Sequence, residues 1–340
     1  MNPKLKSALQ IVLFALIGAG FVWLSVRNIP DREIVTTKQS FKNADYFFVA
    51  ISILFSLLAH IIRAWRWNSL LQPLGHSISF KNSFAAVMIG YVVGYVLPRG
   101  GGELSRCGVA TRYEKIPFTA SLGTVITERI IDVLMLFVIF FIALAVQYKE
   151  LIGMTNKYVL NPLSRKLFLN QTVLYIIISL IVFFFSMLLV FRKKIKNIFK
   201  GKVGNILKNF GTGLSSVKDV KNPRLFIIQS VLIWMCYFLS LYVCFWCFGE
   251  TKDLGLKPAL LILLFGTIGV IVTPGGIGLY QIIATQILLF YGVVNSVSIS
   301  FPWIIWGSQF FSIIVIGGLC FLFLPIINRD KKIEAIPENR

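Results

Sequence analysis

Apolar positions along the chain gather into runs at 8–26, 46–68, 80–97, 118–146, 172–191, 226–248, 257–272, 277–293 and 299–324. An α-helix needs about 20 apolar residues to cross a hydrocarbon core of ~30 Å, so the runs predict an all-α polytopic membrane protein. Two of them are short and end in helix breakers: 80–97 stops at Pro98 and "RGGG", and 257–272 stops at "TPGGIG", Thr273–Gly278. Proline and glycine interrupt a helix, and irregular backbone at membrane depth is tolerable only inside protein or around a watery cavity.

Laid on one another, the halves match in spacing: 46 maps to 226, 80 to 257, Pro98 to Pro274 and 118 to 299. The order predicts a duplicated unit of about four helical elements per half. Charge bias sets its orientation. Ten of the 34 Lys and Arg lie between Arg192 and Arg224, with Asp219 the only acid there, as expected of a cytoplasmic loop. If each broken segment is a re-entrant hairpin, the N-terminus, "RAWRW" (Arg63–Trp67), Lys115 and the C-terminal "RDKK" also fall inside, and the halves point in opposite directions. The expectation is an inverted repeat of about six full spans and two re-entrant hairpins. Eight to nine simple spans are the alternative, and they put Lys4, Lys6 and "RAWRW" outside.

The corresponding division is 1–150 as the first membrane repeat, 151–191 as an outer loop and the first span of the second, 192–224 as a basic amphipathic cytoplasmic loop, 225–328 as the remainder and 329–340 as a cytoplasmic tail. The run at 11–26 follows Lys4 and Lys6 without a small-residue cleavage site and is expected to stay as a signal anchor. Both termini are expected in the cytoplasm, and the membrane is expected to be a bacterial-type inner (plasma) membrane.

Composition narrows the function classes. The chain is 56% hydrophobic and 14% charged with mean hydropathy +0.78, which leaves no segment for a separate soluble catalytic domain. The net charge of +20 would fit nucleic acid, but its concentration in one loop fits a positive-inside signal, so no nucleic-acid partner is expected. Within that loop Ile195, Phe199, Ile206 and Phe210 form one helical stripe among lysines, a pattern for contact with an anionic leaflet or for fixing topology alone. The five cysteines are scattered, "CFWC" lies inside an apolar run, and His60 and His76 are isolated. No metal, no cofactor and no catalytic residue is assigned.

Ionisable residues crowd the first break and the run after it: Arg99, Glu103 and Arg106, then Glu128, Arg129 and Asp132 in "TERIID". Glu128 and Asp132, four apart, share a helix face. At bilayer centre each such residue costs roughly 2.5–3.5 kcal/mol, roughly 15–20 kcal/mol for six, so they must pair or meet water. One reading is a staple between the hairpin and its neighbour. The other is a site where an anionic head group competes for the arginine forks beside backbone N–H groups exposed by glycine. Arg63 and Arg66, with Trp65 and Trp67, read as an interfacial anchor or as a head-group entry point.

The ordered set "RAWRW", "LPRGGGELSR", "TERIID" and "TPGGIGLYQ" resembles the lysylphosphatidylglycerol synthase transmembrane-region family, over essentially the whole chain and without a synthase domain. The resemblance implies a flippase-like lipid translocation module, with roles for Arg63, Arg66, Pro98, Gly102, Glu103, Arg106, Glu128, Arg129, Asp132, Pro274, Gly275, Gly276 and Gly278. The family usually carries a glutamate where Gln281 stands here. The implied cargo is a phospholipid or polyprenyl-linked lipid, and the implied partner a synthase or glycosyltransferase. Two other readings stay open: an intramembrane transferase on a lipid-linked substrate, and a non-transporting scaffold.

Overall fold

A computed structural model describes residues 31–97, 100–155 and 220–329. The runs at 8–26 and 172–191, nearly all of the basic loop, Pro98 and Arg99 lie outside these residues. The described chain is helical: α1 (Asp31–Asn43), α2 (Tyr46–Leu71), α3 (Phe80–Val96), α4 (Gly101–Glu114), α5 (Phe118–Thr155), α6 (Pro223–Val243), α7 (Leu256–Val272), α8 (Leu279–Phe290) and α9 (Asn295–Ile327). Four segments among them are long and apolar enough to cross a membrane: Tyr46–Leu74, Phe118–Glu150, Pro223–Cys247 and Asn295–Ile327. Phe141, Phe311, Phe321 and Leu322 point outward from the bundle and are more than half exposed, the side chains expected against acyl chains.

Local signals set the helix ends. The Asp45 carboxylate accepts from the Phe47 N–H at 3.0 Å and starts α2, and Asn222 with Pro223 in the first turn starts α6. At the first break Gly100 adopts φ 93° and α4 begins, with Glu103 in its first turn, where the helix dipole favours a carboxylate. The polar α1 was not expected from the apolar runs. It docks on α9, where the Ser300 hydroxyl donates to the Thr37 carbonyl at 3.3 Å.

Each short apolar helix folds back on its successor. A Cβ at Gly102 would collide with the Gly90 carbonyl oxygen, so α3 and α4 touch backbone to backbone only because both positions are glycine. In the second hairpin the ring of Tyr280 on α8 fills the space over Gly266, leaving 2.8 Å for an added Cβ. With 17 residues in α7 and 12 in α8, these helices are roughly 26 and 18 Å long, short of a ~30 Å core.

The remaining packing brings the two halves together. Helices α2 and α6 run antiparallel: Ser52 meets Ser240 at 2.9 Å, Arg66 meets Ser230 at 2.9 Å, and Leu70 packs with Phe226. Helix α3 lies on α9, with reciprocal amide bonds between Asn82 and Asn328 at 2.9 and 2.8 Å. Helix α7 lies on α5, where the Gln147 amide donates to the Lys257 carbonyl at 3.2 Å.

These contacts define two ends of the bundle. At one end the start of α3, the end of α4 and the end of α9 meet, since Glu114 accepts from Ser79 and Asn82 and Asn82 bonds Asn328. At the other the end of α8 meets the start of α7 beside α5, through Tyr291 to Gln147 at 2.9 Å and Lys257 to Glu150 at 2.7 Å. The first end carries Lys81, Arg112, Lys115, Lys221, Arg224 and Arg329 against Glu114. The second balances Lys38, Lys42, Lys149, Lys252 and Lys257 against Asp45, Glu150, Glu250 and Asp253.

Candidate functional site

The acids of α5 meet the arginines of α2 in the interior. Arg63 Nη1 donates to Asp132 Oδ2 at 2.7 Å and Glu128 Oε1 at 3.2 Å. Arg66 Nη2 reaches Glu128 Oε1 at 3.1 Å and Asp132 Oδ1 at 2.9 Å, while its Nη1 donates to Ser230 Oγ on α6. Arg106 on α4 adds a third cation, its Nη1 lying 2.7 Å from Glu128 Oε2. The four-residue spacing of Glu128 and Asp132 thus presents two carboxylates to one pair of forks, as the helix register predicts.

The placement of Arg63 and Arg66 corrects their reading as an interfacial anchor. Both are buried, at 3% and 0% exposure, and of the flanking tryptophans only Trp65 faces out, at 60%. Trp67 is fully buried, donates to Thr124 Oγ1 at 3.0 Å and carries the Arg106 guanidinium over its ring at 3.9 Å. The charge count changes with them. Three arginines against three acids, with Arg99 included, becomes Arg63, Arg66, Arg106 and Arg129 against Glu103, Glu128 and Asp132 among the described residues, an excess of one positive charge.

Burial divides the group. Glu128 and Arg66 are sealed; Arg63, Arg106 and Asp132 border a cavity with side chains at most 12% exposed, whereas Arg129 and Glu103 open into it. Arg129 Nε lies 3.2 Å from Glu103 Oε1, their side chains 45% and 31% exposed, and Arg129 Nη1 stands 3.8 Å from Asp132. That contact is the exchangeable one, because an exposed pair gains little from a single partner.

The cavity measures about 730 Å³, within the usual range for small-molecule sites, about 300–1,000 Å³. Both breaks line it, through Leu97, Gly100 and Gly102 on one side and Val272, Thr273 and Gly275 on the other. The breaks also approach one another. Gly275 has φ 59° and lies so close to Tyr95 of α3 that a Cβ there would overlap the ring, and its carbonyl accepts from Trp306 Nε1 at 2.7 Å. Pro274 opens this turn, and Gly276 and Gly278, at φ 82° and 78°, carry the backbone into α8. Gln281 does not line the cavity. It is buried in α8, with no described partner for either amide atom.

Several lining residues carried no assignment from sequence: Ser56, His60, Tyr91, Ser240, Trp306 and Gln309. A signal for some of them is present in α2. Ser52, Ser56, His60 and Arg63 recur at helical spacing, a polar stripe through an apolar span. No cluster of His, Cys, Asp and Glu able to hold a metal occurs among the described residues.

Long apolar helices enclosing buried ion pairs and a glycine-lined cavity define a multi-pass membrane protein. The chain belongs to the lysylphosphatidylglycerol synthase transmembrane-region family, whose model matches residues 8–317. It is 24% identical over 318 residues to a UPF0104 membrane protein of Methanothermobacter thermautotrophicus, covering 87% of this chain and 88% of the relative. Over 311 residues it is 24% identical to one of Pyrococcus horikoshii, covering 82% and 88%. A UPF0104 membrane protein of Methanocaldococcus jannaschii is 29% identical over 129 residues, only 37% of this chain and 36% of that relative. No solved structure matches.

Proposed function

We propose that this protein moves an anionic amphiphile, a phospholipid or a polyprenyl-linked lipid, between the leaflets of the membrane. The observation that carries the proposal is the cavity: both helix breaks line it, and its wall holds an exchangeable Arg129–Glu103 pair beside the largely buried Arg63, Arg106 and Asp132. An anionic head group takes the place of Glu103 at Arg129, next to glycine backbone, and Glu103 competes it off again. The acyl chains stay in lipid.

The architecture we infer is an inverted repeat with two re-entrant hairpins. Three observations support it. Helices α2, α3, α5 and the first break recur 176–177 positions later as α6, α7, α9 and the second break. The corresponding helices α2 and α6 are antiparallel. The α3 to α9 contact has its counterpart in α7 on α5. On this reading each hairpin returns to its own end of the bundle, and the excess of Lys and Arg supports a cytoplasmic α3–α4 end. The family relationship supports a lipid-related context, to which the basic segment 192–224 and a partner synthase or glycosyltransferase would add.

The test is leaflet exchange of labelled anionic, zwitterionic and polyprenyl-phosphate lipids in proteoliposomes. Exchange selective for an anionic head group, and lost in Glu103→Gln at normal protein levels, is the expected result. No exchange of any lipid by folded protein overturns the proposal.

A further inference from the structure

The ion cluster explains an anion in the cavity and leaves its uncharged wall unexplained. From Arg63 the polar stripe of α2 continues one turn back to His60 and another to Ser56, rises of roughly 4.5 and 10 Å along the helix. His60 lines the cavity at 3% exposure, and neither ring nitrogen has a described hydrogen-bond partner. Its ring is held by aromatic neighbours, with Tyr91 at 4.6 Å and Tyr237 at 6.1 Å between centroids. The stripe closes on Ser52, Ser240 and Gln309: the Gln309 amide donates to both hydroxyls at 3.2 Å, and its buried Oε1 has no described partner.

Buried polar groups are normally satisfied, and these lie in a wall that bounds a cavity. A neutral imidazole offers one donor and one acceptor, and a hydroxyl group offers the complement of both. The distance matters too. A hydroxyl two or three bonds beyond an anion held at Arg63 and Arg129 falls within one helical turn, where His60 stands.

We propose that His60 is a specificity-determining contact that reads a hydroxyl next to the cargo's anionic group, so that the cavity prefers anionic amphiphiles with a hydroxylated head group. The proposal rests on the lipid-binding part of the function above and adds the class of head group. Charge alone does not select in such a site. A lipid with the same single charge and no hydroxyl leaves the imidazole unsatisfied and binds more weakly, by about tenfold for one neutral hydrogen bond.

The experiment is equilibrium binding of two short-chain lipids to the purified full chain in detergent, dioctanoyl phosphatidylglycerol and dioctanoyl phosphatidylethanol, which share one negative charge and differ in head-group hydroxyls. The expected preference is about tenfold for phosphatidylglycerol. His60→Phe, which keeps the ring against Tyr91, should bring the two affinities within about twofold, while His60→Gln, which restores a donor and an acceptor, should keep most of the preference. Arg129→Gln should weaken both lipids alike. Equal binding by the wild type overturns the proposal without any variant, as does failure to bind either lipid. A preference that survives in folded His60→Phe also overturns it. Leaflet exchange separates the two claims: preference without exchange keeps His60 and removes transport, and exchange without preference does the reverse.

Discussion

The sharpest consequence of the site's geometry is a separation of stability from function within one charge cluster. Glu128 meets Arg63, Arg66 and Arg106 at 3.2, 3.1 and 2.7 Å, and its side chain is 1% exposed. Replacing it with glutamine preserves shape, leaves Arg106 without a described carboxylate partner and raises the excess positive charge from one to two. Removing one member of a buried ion pair destabilises by about 3–5 kcal/mol, because the charges left behind stay desolvated. Glu103 meets Arg129 alone, at 3.2 Å, with both side chains partly exposed. Its removal should alter stability by about 0–1 kcal/mol. Function should respond in the opposite order: without Glu103 only Asp132, 3.8 Å away, still competes with a bound head group at Arg129, so Glu103→Gln should bind anionic lipid more tightly and exchange it more slowly, by about tenfold for each ~1.4 kcal/mol of competition lost. Unfolding of both variants in mild detergent, beside lipid binding and leaflet exchange, tests the scheme. Equal destabilisation by the two substitutions, or wild-type exchange in Glu103→Gln, would refute it.

Other outcomes follow from the close contacts. Gly102→Ala should loosen the α3–α4 hairpin, because the new methyl meets the Gly90 carbonyl; unfolding midpoints below wild type and reduced exchange would show it. Gly275→Ala combines a positive φ with collision against Tyr95 and should lose exchange even where the protein is recovered folded. Ser230→Ala removes the acceptor of Arg66 Nη1 and should destabilise by about 1–3 kcal/mol, with lipid preference unchanged. Single cysteines at Lys115 and Lys257 should label from opposite sides of the membrane, and labelling from one side would refute the re-entrant arrangement.

Much of the helical plan was legible because it is local. Apolar runs, two Pro and Gly breaks and the four-residue spacing of Glu128 and Asp132 are properties of adjacent sequence, and the described helices begin and end near them. What escaped was whatever depended on distant partners. Arg63 and Arg66 sit among tryptophans, a composition shared by interfacial anchors and buried stacks, and only the register of α2 against α5 and α6 turns them inward. His60 looked isolated because its neighbours, Tyr91 and Tyr237, lie in other helices. Helix α1 escaped because a short polar helix that docks through the buried Thr37 and the partly buried Phe41 leaves no apolar run.

On the inverted-repeat reading proposed above, the two halves carry different chemistry at corresponding places, and that difference bears on how a head group would travel. Gln309 stands 177 positions after Asp132, and Ser240 stands 177 after Arg63; the first half joins its pair by a 2.7 Å ion pair, the second by a 3.2 Å neutral hydrogen bond. Charging both positions would place a second desolvated pair in the bilayer interior, with a penalty of several kcal/mol per ion. It would also create two equal wells for an anion. With charge in one half only, the electrostatic attraction lies toward the end of the bundle rich in Lys and Arg, and the remaining path offers neutral groups that bind a head group weakly. An anion then enters a well and leaves along a slope without meeting a second trap. On this reasoning the double substitution Ser240→Arg with Gln309→Asp, which builds the second pair, should slow exchange while leaving head-group binding intact. Faster exchange in that variant would mean that the neutral half limits passage instead of easing it.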